Sequence, residues 1–153
     1  MKYCIDTSSL MDAWRRWYPP DLFPSLWAKL DELVSNGDLI SSEEVLRELE
    51  RKEDGLLAWA NEHSGMFLPL SDEIQEITQQ ILDGFPKLVD SRTGKSFADP
   101  FVIATARATG TTVVTGERLE GSVSRPKIPS VCNELGIPWI GTVQLISSEG
   151  WKF

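Results

Sequence analysis

Four acidic residues, Asp6, Glu48, Asp99 and Glu117, stand far apart in this chain, each at or near the edge of an expected element. Asp6 ends the first apolar segment, Tyr3-Cys4-Ile5-Asp6-Thr7-Ser8-Ser9. Asp99 opens an apolar helix, Asp99-Pro100-Phe101-Val102-Ile103-Ala104, and Glu117 closes the segment Thr111-Thr112-Val113-Val114-Thr115-Gly116-Glu117. In a parallel α/β sheet the C-terminal ends of the strands share one edge, and ligands bind in the crevice there. Carboxylates gathered at such an edge make a site for a hard divalent cation, which points to metal-assisted chemistry on phosphate. Hydroxyls beside Asp6, on Thr7 and Ser8, can orient water or a phosphate oxygen.

Each carboxylate also has a plain structural reading. Asp6 follows a strand and can cap the next helix; Asp99-Pro100 is a helix start with proline at the first helical position. Glu117 reads equally as a loop residue, and Gly116 before it permits an unusual turn. In the helix 43–52, Val45, Leu46 and Leu49 define the buried face at ~100° per residue. That phase puts Glu48 on the flank of the face and Glu44 further toward solvent. Asp90 and Glu120 are spare acids expected on the surface.

The elements that must position these residues alternate. A short strand covers 2–6, and Thr7, Ser8 and Ser9 offer caps for a helix from Leu10 to Tyr18, stopped by Pro19-Pro20. Helices are expected at 24–34, at 43–52 after a cap at Ser41 or Ser42, near 56–61, at 71–82, at 99–109 closed by Gly110, at 129–135 and at 142–148. Strands are expected at 39–40, 112–115 and 138–140. Strands separated by helices imply an α/β architecture with a central, mainly parallel sheet between helical layers.

At 153 residues, one domain spanning 1–153 is the natural expectation. No apolar run approaches the ~20 residues of a membrane span, and no signal-peptide core opens the chain, so a cytoplasmic location is expected. Cys4 and Cys132 fit reduced, buried thiols. The net charge of −8 opposes the simplest nucleic-acid reading, although carboxylates in a metal site are offset by bound cations. The single histidine, His63, lies in a polar stretch expected at the surface, which disfavours two-histidine ribonucleases and zinc hydrolases. Gly94-Lys95-Ser96 imitates the end of a P-loop, but the earlier glycine and the leading strand are missing. A haloacid-dehalogenase-type phosphatase wants Asp-x-Asp after the first strand, and Ser8 occupies the third position. Trp14, Trp17 and Trp27 suggest stacking surfaces for bases, but aromatics at helical spacing are more often core or oligomer interface.

Taken in order, Ile5-Asp6-Thr7-Ser8, Ser42 to Glu48-Leu49, Ala98-Asp99-Pro100 to Ala106, and Val113-Val114-Thr115-Gly116-Glu117 resemble a PIN domain. More narrowly, Glu48-Leu49-Glu50-Arg51-Lys52 through Trp59, Lys127-Ile128-Pro129-Ser130-Val131-Cys132 and the closing Gly150-Trp151-Lys152-Phe153 resemble the PIN-like family DUF4411. The resemblance covers nearly the whole chain. It implies a PIN-like three-layer fold and a Mg²⁺- or Mn²⁺-dependent ribonuclease, often the toxin of a bacterial type II toxin–antitoxin pair of the VapC kind. Carried over, Asp6, Glu48, Asp99 and Glu117 form the catalytic, metal-binding acidic cluster. Glu117 departs from the commoner Thr-x-Asp form by its longer side chain.

The reaction so implied is hydrolysis of an RNA phosphodiester by activated water, leaving a 3′-hydroxyl and a 5′-phosphate. Thr7, Ser8 and Thr115 would position water or phosphate, and Arg118, Arg125 and Lys127 would form a basic rim. A cognate antitoxin and a homodimer are the expected partners. Two rivals stay open: a catalytically silent PIN-like binding module, which suits the net acidity, and a structure-specific DNA nuclease.

Overall fold

The computed structural model describes residues 1–52, 54–89, 97–119 and 126–153. Asp90, Glu120, Arg125 and the Gly94-Lys95-Ser96 stretch lie outside the described residues. Among the described residues five short strands, β1 (Tyr3–Ile5), β2 (Leu39–Ser42), β3 (Phe67–Leu68), β4 (Thr112–Val114) and β5 (Trp139–Ile140), form one sheet in the order β3-β2-β1-β4-β5. Every pairing is parallel; Tyr3 lies opposite Leu39 and Thr112, and Ile5 opposite Val114. Cys4, Leu39, Val113 and Val114 are fully buried, as strands covered on both faces require.

The connections fix the layers. α1 (Thr7–Asp12) and α2 (Pro24–Ser35) link β1 to β2; α3 (Glu43–Glu50) and α4 (Gly55–Glu62) link β2 to β3. α5 (Asp72–Gly84) and α6 (Asp99–Thr109) lead back to β4, α7 (Ile128–Leu135) leads to β5, and α8 (Thr142–Ser148) follows it. Right-handed crossovers stepping one way place α1 to α4 on one face, and those stepping the other way place α5 to α7 on the opposite face. The packing agrees: α6 lies across β1, β2 and β4 and against α5 and α7, while α3 packs on α1 and α4. The strand order reverses between β1 and β4, so the switch-point crevice opens at their C-terminal ends, after Ile5 and Val114.

Most expected elements form at the expected places, with three differences. The first helix begins at Thr7 and is capped by Asp6 itself, and its second half, Ala13–Trp17, is a π turn closed by Tyr18 N–H on Ala13 O at 2.8 Å. β2 runs on to Ser42 because Ser41 and Ser42 pair with Phe67 and Leu68 of β3, and the buried Ser41 hydroxyl also donates to Ile5 O at 2.6 Å. β3 carries no sequence signal: two residues after a 3₁₀ turn (Ser64–Met66) are too few for any period to register.

The aromatic residues divide. Trp27 is buried, with Trp14 and Trp59 edge-on to it at 4.8 and 5.1 Å, so these are core. Trp17 is 65% exposed. His63 is half-buried rather than a surface residue. It sits four residues after Trp59, stacks on that ring at 4.6 Å, and places Nδ1 2.8 Å from Trp59 O and Nε2 3.1 Å from Asp31. Cys4 and Cys132 are both buried and free of disulfides. Among the described residues no helix is long and apolar enough to cross a membrane.

Candidate functional site

Asp6 occupies the switch point. Its carboxylate is 1% exposed. Oδ1 accepts from Ser9 N–H at 2.7 Å, which makes it the N-cap of α1. Oδ2 accepts from Ser8 Oγ at 2.8 Å and from Thr115 Oγ1, just beyond β4, at 2.6 Å. Three donors hold the negative charge, yet burial outweighs them and pushes the carboxyl up to about 6 from its ordinary 3.8. The negative charge of Glu117 adds to the rise, which places Glu117 within electrostatic reach of Asp6.

The two hydroxyls that donate to Asp6 also accept. Gly116 N–H donates to Ser8 Oγ at 3.1 Å and Glu117 N–H to Thr115 Oγ1 at 3.0 Å. The turn after β4 is thereby stitched to the first turn of α1. The apex is tight: a Cβ on Gly116 would lie 3.0 Å from Asp12 Oδ2 and 3.2 Å from Ser8 Oγ, so those side chains would have to give way. Glu117 is half-buried, and its Oε2 accepts from Ile128 N–H at 2.9 Å, the first residue of α7. One side chain therefore both faces the crevice charge and caps a helix.

Glu48 comes from α3 to the residue beside Asp6. Thr7 Oγ1 donates to Glu48 Oε1 at 2.9 Å, joining the residue after Asp6 to the second turn of that helix. Glu44, which helix phase places further toward solvent, is instead covered. Glu44 is 4% exposed, with Arg47 Nη1 2.6 Å from its Oε1, and burial raises its carboxyl. An adjacent arginine lets a carboxylate be covered at a helix start, which helix phase does not register.

Asp99 is 8% exposed and is the first residue of α6, with Ala98 rather than Asp99 at the cap position. Its height follows from the topology. Gly110, in the left-handed region at φ 67°, turns α6 directly into β4, so α6 runs antiparallel to the strands. Its N-terminus therefore points to the strand C-terminal edge. Cys4 Sγ lies 3.7 Å from Val102 O, so three helical residues (~4.5 Å) lift Asp99 much as two strand residues (~6.6 Å) lift Asp6.

These donors are all oxygen, the set a hard cation takes. Asp6 is a buried carboxylate whose charge the protein does not fully compensate. Among the described residues, no three His, Cys, Asp or Glu side chains gather closely enough to hold a metal ion by themselves. Carboxylate oxygens spaced in this way could share a hard cation only with water completing its shell. Of the expected rim, Arg118 and Lys127 are exposed.

Two residues near the site lacked a motif to announce them. Ser9 supplies the capping N–H, and its own hydroxyl is buried with no hydrogen-bond partner among the described residues. Asp12 meets Gly116 because it shares the α1 face of Ser8, four residues earlier.

The family pattern of Domain of unknown function (DUF4411) matches residues 3–153. No curated protein sequence is significantly similar. Among solved structures, FitAcB from Neisseria gonorrhoeae is 18% identical, covering 90% of this chain and 96% of that one with a TM-score of 0.53. VapBC2 from Rickettsia felis, bound to a DNA fragment from its promoter, is 14% identical and covers 92% of this chain and 98% of that one, also at a TM-score of 0.53. At such identities the likeness establishes the fold.

Proposed function

Because the chain belongs to the DUF4411 family and has a PIN-like fold, we propose that it is a metal-dependent endoribonuclease, the toxin of a bacterial type II toxin–antitoxin pair. The observation that carries this reading is the buried Asp6 carboxylate at the β1–β4 switch point, held by three donors and still pushed up to about 6. A carboxylate so placed gains from a cation.

Asp6 and Asp99 would hold Mg²⁺ or Mn²⁺, with Glu48 and Glu117 completing the shell through water. When bound, the cation would supply positive charge to a phosphodiester and acidity to a water. The other tasks fall to the chain. The Ser8 and Thr115 hydroxyls fix the orientation of Asp6, and the Thr7 hydroxyl holds Glu48. Arg118, exposed beside Glu117, would meet the RNA backbone, with Lys127 further along the rim. A cognate antitoxin is the proposed protein partner; the two-component names of the neighbours FitAcB and VapBC2 support it. A homodimer and a cytoplasmic location complete the proposal.

The test is cleavage of single-stranded RNA by wild type, Asp6→Asn and Asp99→Asn, each shown to be folded by circular dichroism. Both substitutions are expected to abolish Mg²⁺-dependent cleavage. Full activity in both refutes the assignment.

One observation favours a second reading. Glu117 caps α7 and Asp6 caps α1, so both acids have structural employment without any metal. A silent binding module would show no rise in melting temperature in millimolar Mn²⁺, whereas a metal-binding native state is stabilised.

A further inference from the structure

On the β4–β5 side of Thr115 and Glu117 a cleft of about 610 Å³ opens between the end of the α1 π turn and the start of α8. Its walls include Trp17, Tyr18, Trp139 and Arg118. The volume lies within the ~300–1,000 Å³ of small-ligand sites. Trp139 is held, its Nε1 donating to Asn133 Oδ1 at 2.9 Å. Trp17 is the exception among the tryptophans of the first helices. The π turn throws it out of phase with Trp14, which packs on Trp27, and leaves its indole 65% exposed. Its exposed ring forms part of the wall of this cleft, open to a flat ligand.

The cleft is continuous with the candidate site. Thr115 and Glu117 line it, and Thr115 donates to Asp6 from the same hydroxyl that accepts from Glu117 N–H. Ser9, whose buried hydroxyl has no partner among the described residues, also lines it; such a group is normally satisfied. The guanidinium of Arg118 brings positive charge to a wall that otherwise carries Asp12 and Glu117, and Asp12 has its own counter-ion in Arg16 at 3.9 Å.

We propose that this cleft is a nucleotide subsite of a single-stranded RNA substrate, in which a base stacks on Trp17 and Arg118 meets the adjoining phosphate. The proposal rests on the ribonuclease reading and specifies it: the nucleotide flanking the scissile bond is gripped by its π face, with little dependence on base identity. Stacking is sequence-tolerant because every base has such a face. An apolar segment of a protein partner is the competing occupant, and the shared wall with the acidic site together with Arg118 favours RNA.

The experiment uses the full chain carrying Asp6→Asn, so that RNA is bound without being cut, and follows the fluorescence anisotropy of a short labelled oligoribonucleotide in Mg²⁺ buffer. Adding Trp17→Ala should weaken binding roughly 10-fold, while Trp17→Phe, which keeps a stacking face, should retain most of it. Arg118→Gln should lower the salt dependence by about one unit of slope. In the cleaving protein, Trp17→Ala should raise KM more than it lowers kcat. Unchanged oligoribonucleotide affinity in Trp17→Ala overturns the proposal, as does loss of antitoxin binding with RNA binding intact. If wild type cuts no RNA but Trp17 still governs oligoribonucleotide affinity, the ribonuclease reading fails and the subsite stands.

Discussion

Asp6→Asn should change stability in opposite senses on the two sides of pH 5. In the folded chain the Asp6 carboxyl is pushed up to about 6, from 3.8. The folded state thus binds the proton more tightly than the unfolded state, and stability falls as pH rises from about 4 to about 6. At about 1.4 kcal/mol per pH unit, ionised Asp6 costs the apo protein ~3 kcal/mol near neutrality. Asparagine removes that cost. Its oxygen can still accept from Ser9 N–H, but its amide faces the hydroxyls of Ser8 and Thr115, which already accept from Gly116 and Glu117 N–H. Turning those hydroxyls away costs ~1–2 kcal/mol. The variant should therefore be ~1–2 kcal/mol less stable than wild type at pH 4 and ~1–2 kcal/mol more stable at pH 7. That swing corresponds to roughly 6–12 °C in melting temperature for a chain of this size. Urea unfolding of both proteins in EDTA at pH 4, 5.5 and 7 reads it directly, and the raised Glu44 carboxyl cancels because both proteins share it. A difference between the two proteins that stays constant across this range would refute the reasoning.

Other expectations follow from the same contacts. Saturating Mn²⁺ should raise the melting temperature of wild type, by the equivalent of ~2.7 kcal/mol at a hundredfold excess over Kd, and leave that of Asp6→Asn nearly unmoved; calorimetry with and without EDTA decides this. Thr115→Val keeps the shape but removes a donor to Asp6 and an acceptor for Glu117 N–H, so it should destabilise the chain by ~1–3 kcal/mol at pH 7, read by urea unfolding. Glu117→Ala should cost ~1 kcal/mol through the lost cap on α7; if cleavage persists at the wild-type rate, Glu117 is a cap alone. Trp27→Ala, which opens the centre of the Trp14–Trp27–Trp59 cluster, should cost ~3–5 kcal/mol, seen as an early thermal transition.

Much of this arrangement was legible in the chain, because most of its elements are punctuated locally. Ser71 caps α5, Gly110 and Gly136 turn α6 and α7 off in the left-handed region, and Pro lies within the first two residues of α2, α6 and α7. The ends of β1 and β4 and the start of α6 are marked locally by Asp6, Gly116 and Asp99-Pro100. What stayed hidden is tertiary. The burial of Glu44 depends on Arg47 lying beside it, and the tuck of His63 on Trp59 depends on where α4 ends. The outward Trp17 depends on a π turn that periodicity at 3.6 residues cannot register. β3 exists because Ser41 and Ser42 of β2 offer an open edge to Phe67 and Leu68, and no local pattern records that.

The most direct measurement is cleavage of a defined single-stranded RNA by the purified chain in Mg²⁺ or Mn²⁺, with EDTA, Asp6→Asn, single-stranded DNA and flap DNA as comparisons. Metal-dependent cutting of RNA that leaves 5′-phosphate ends and vanishes in EDTA and in Asp6→Asn is the predicted result. RNA cutting that survives Asp6→Asn or chelation, or cutting confined to the DNA substrates, would contradict it.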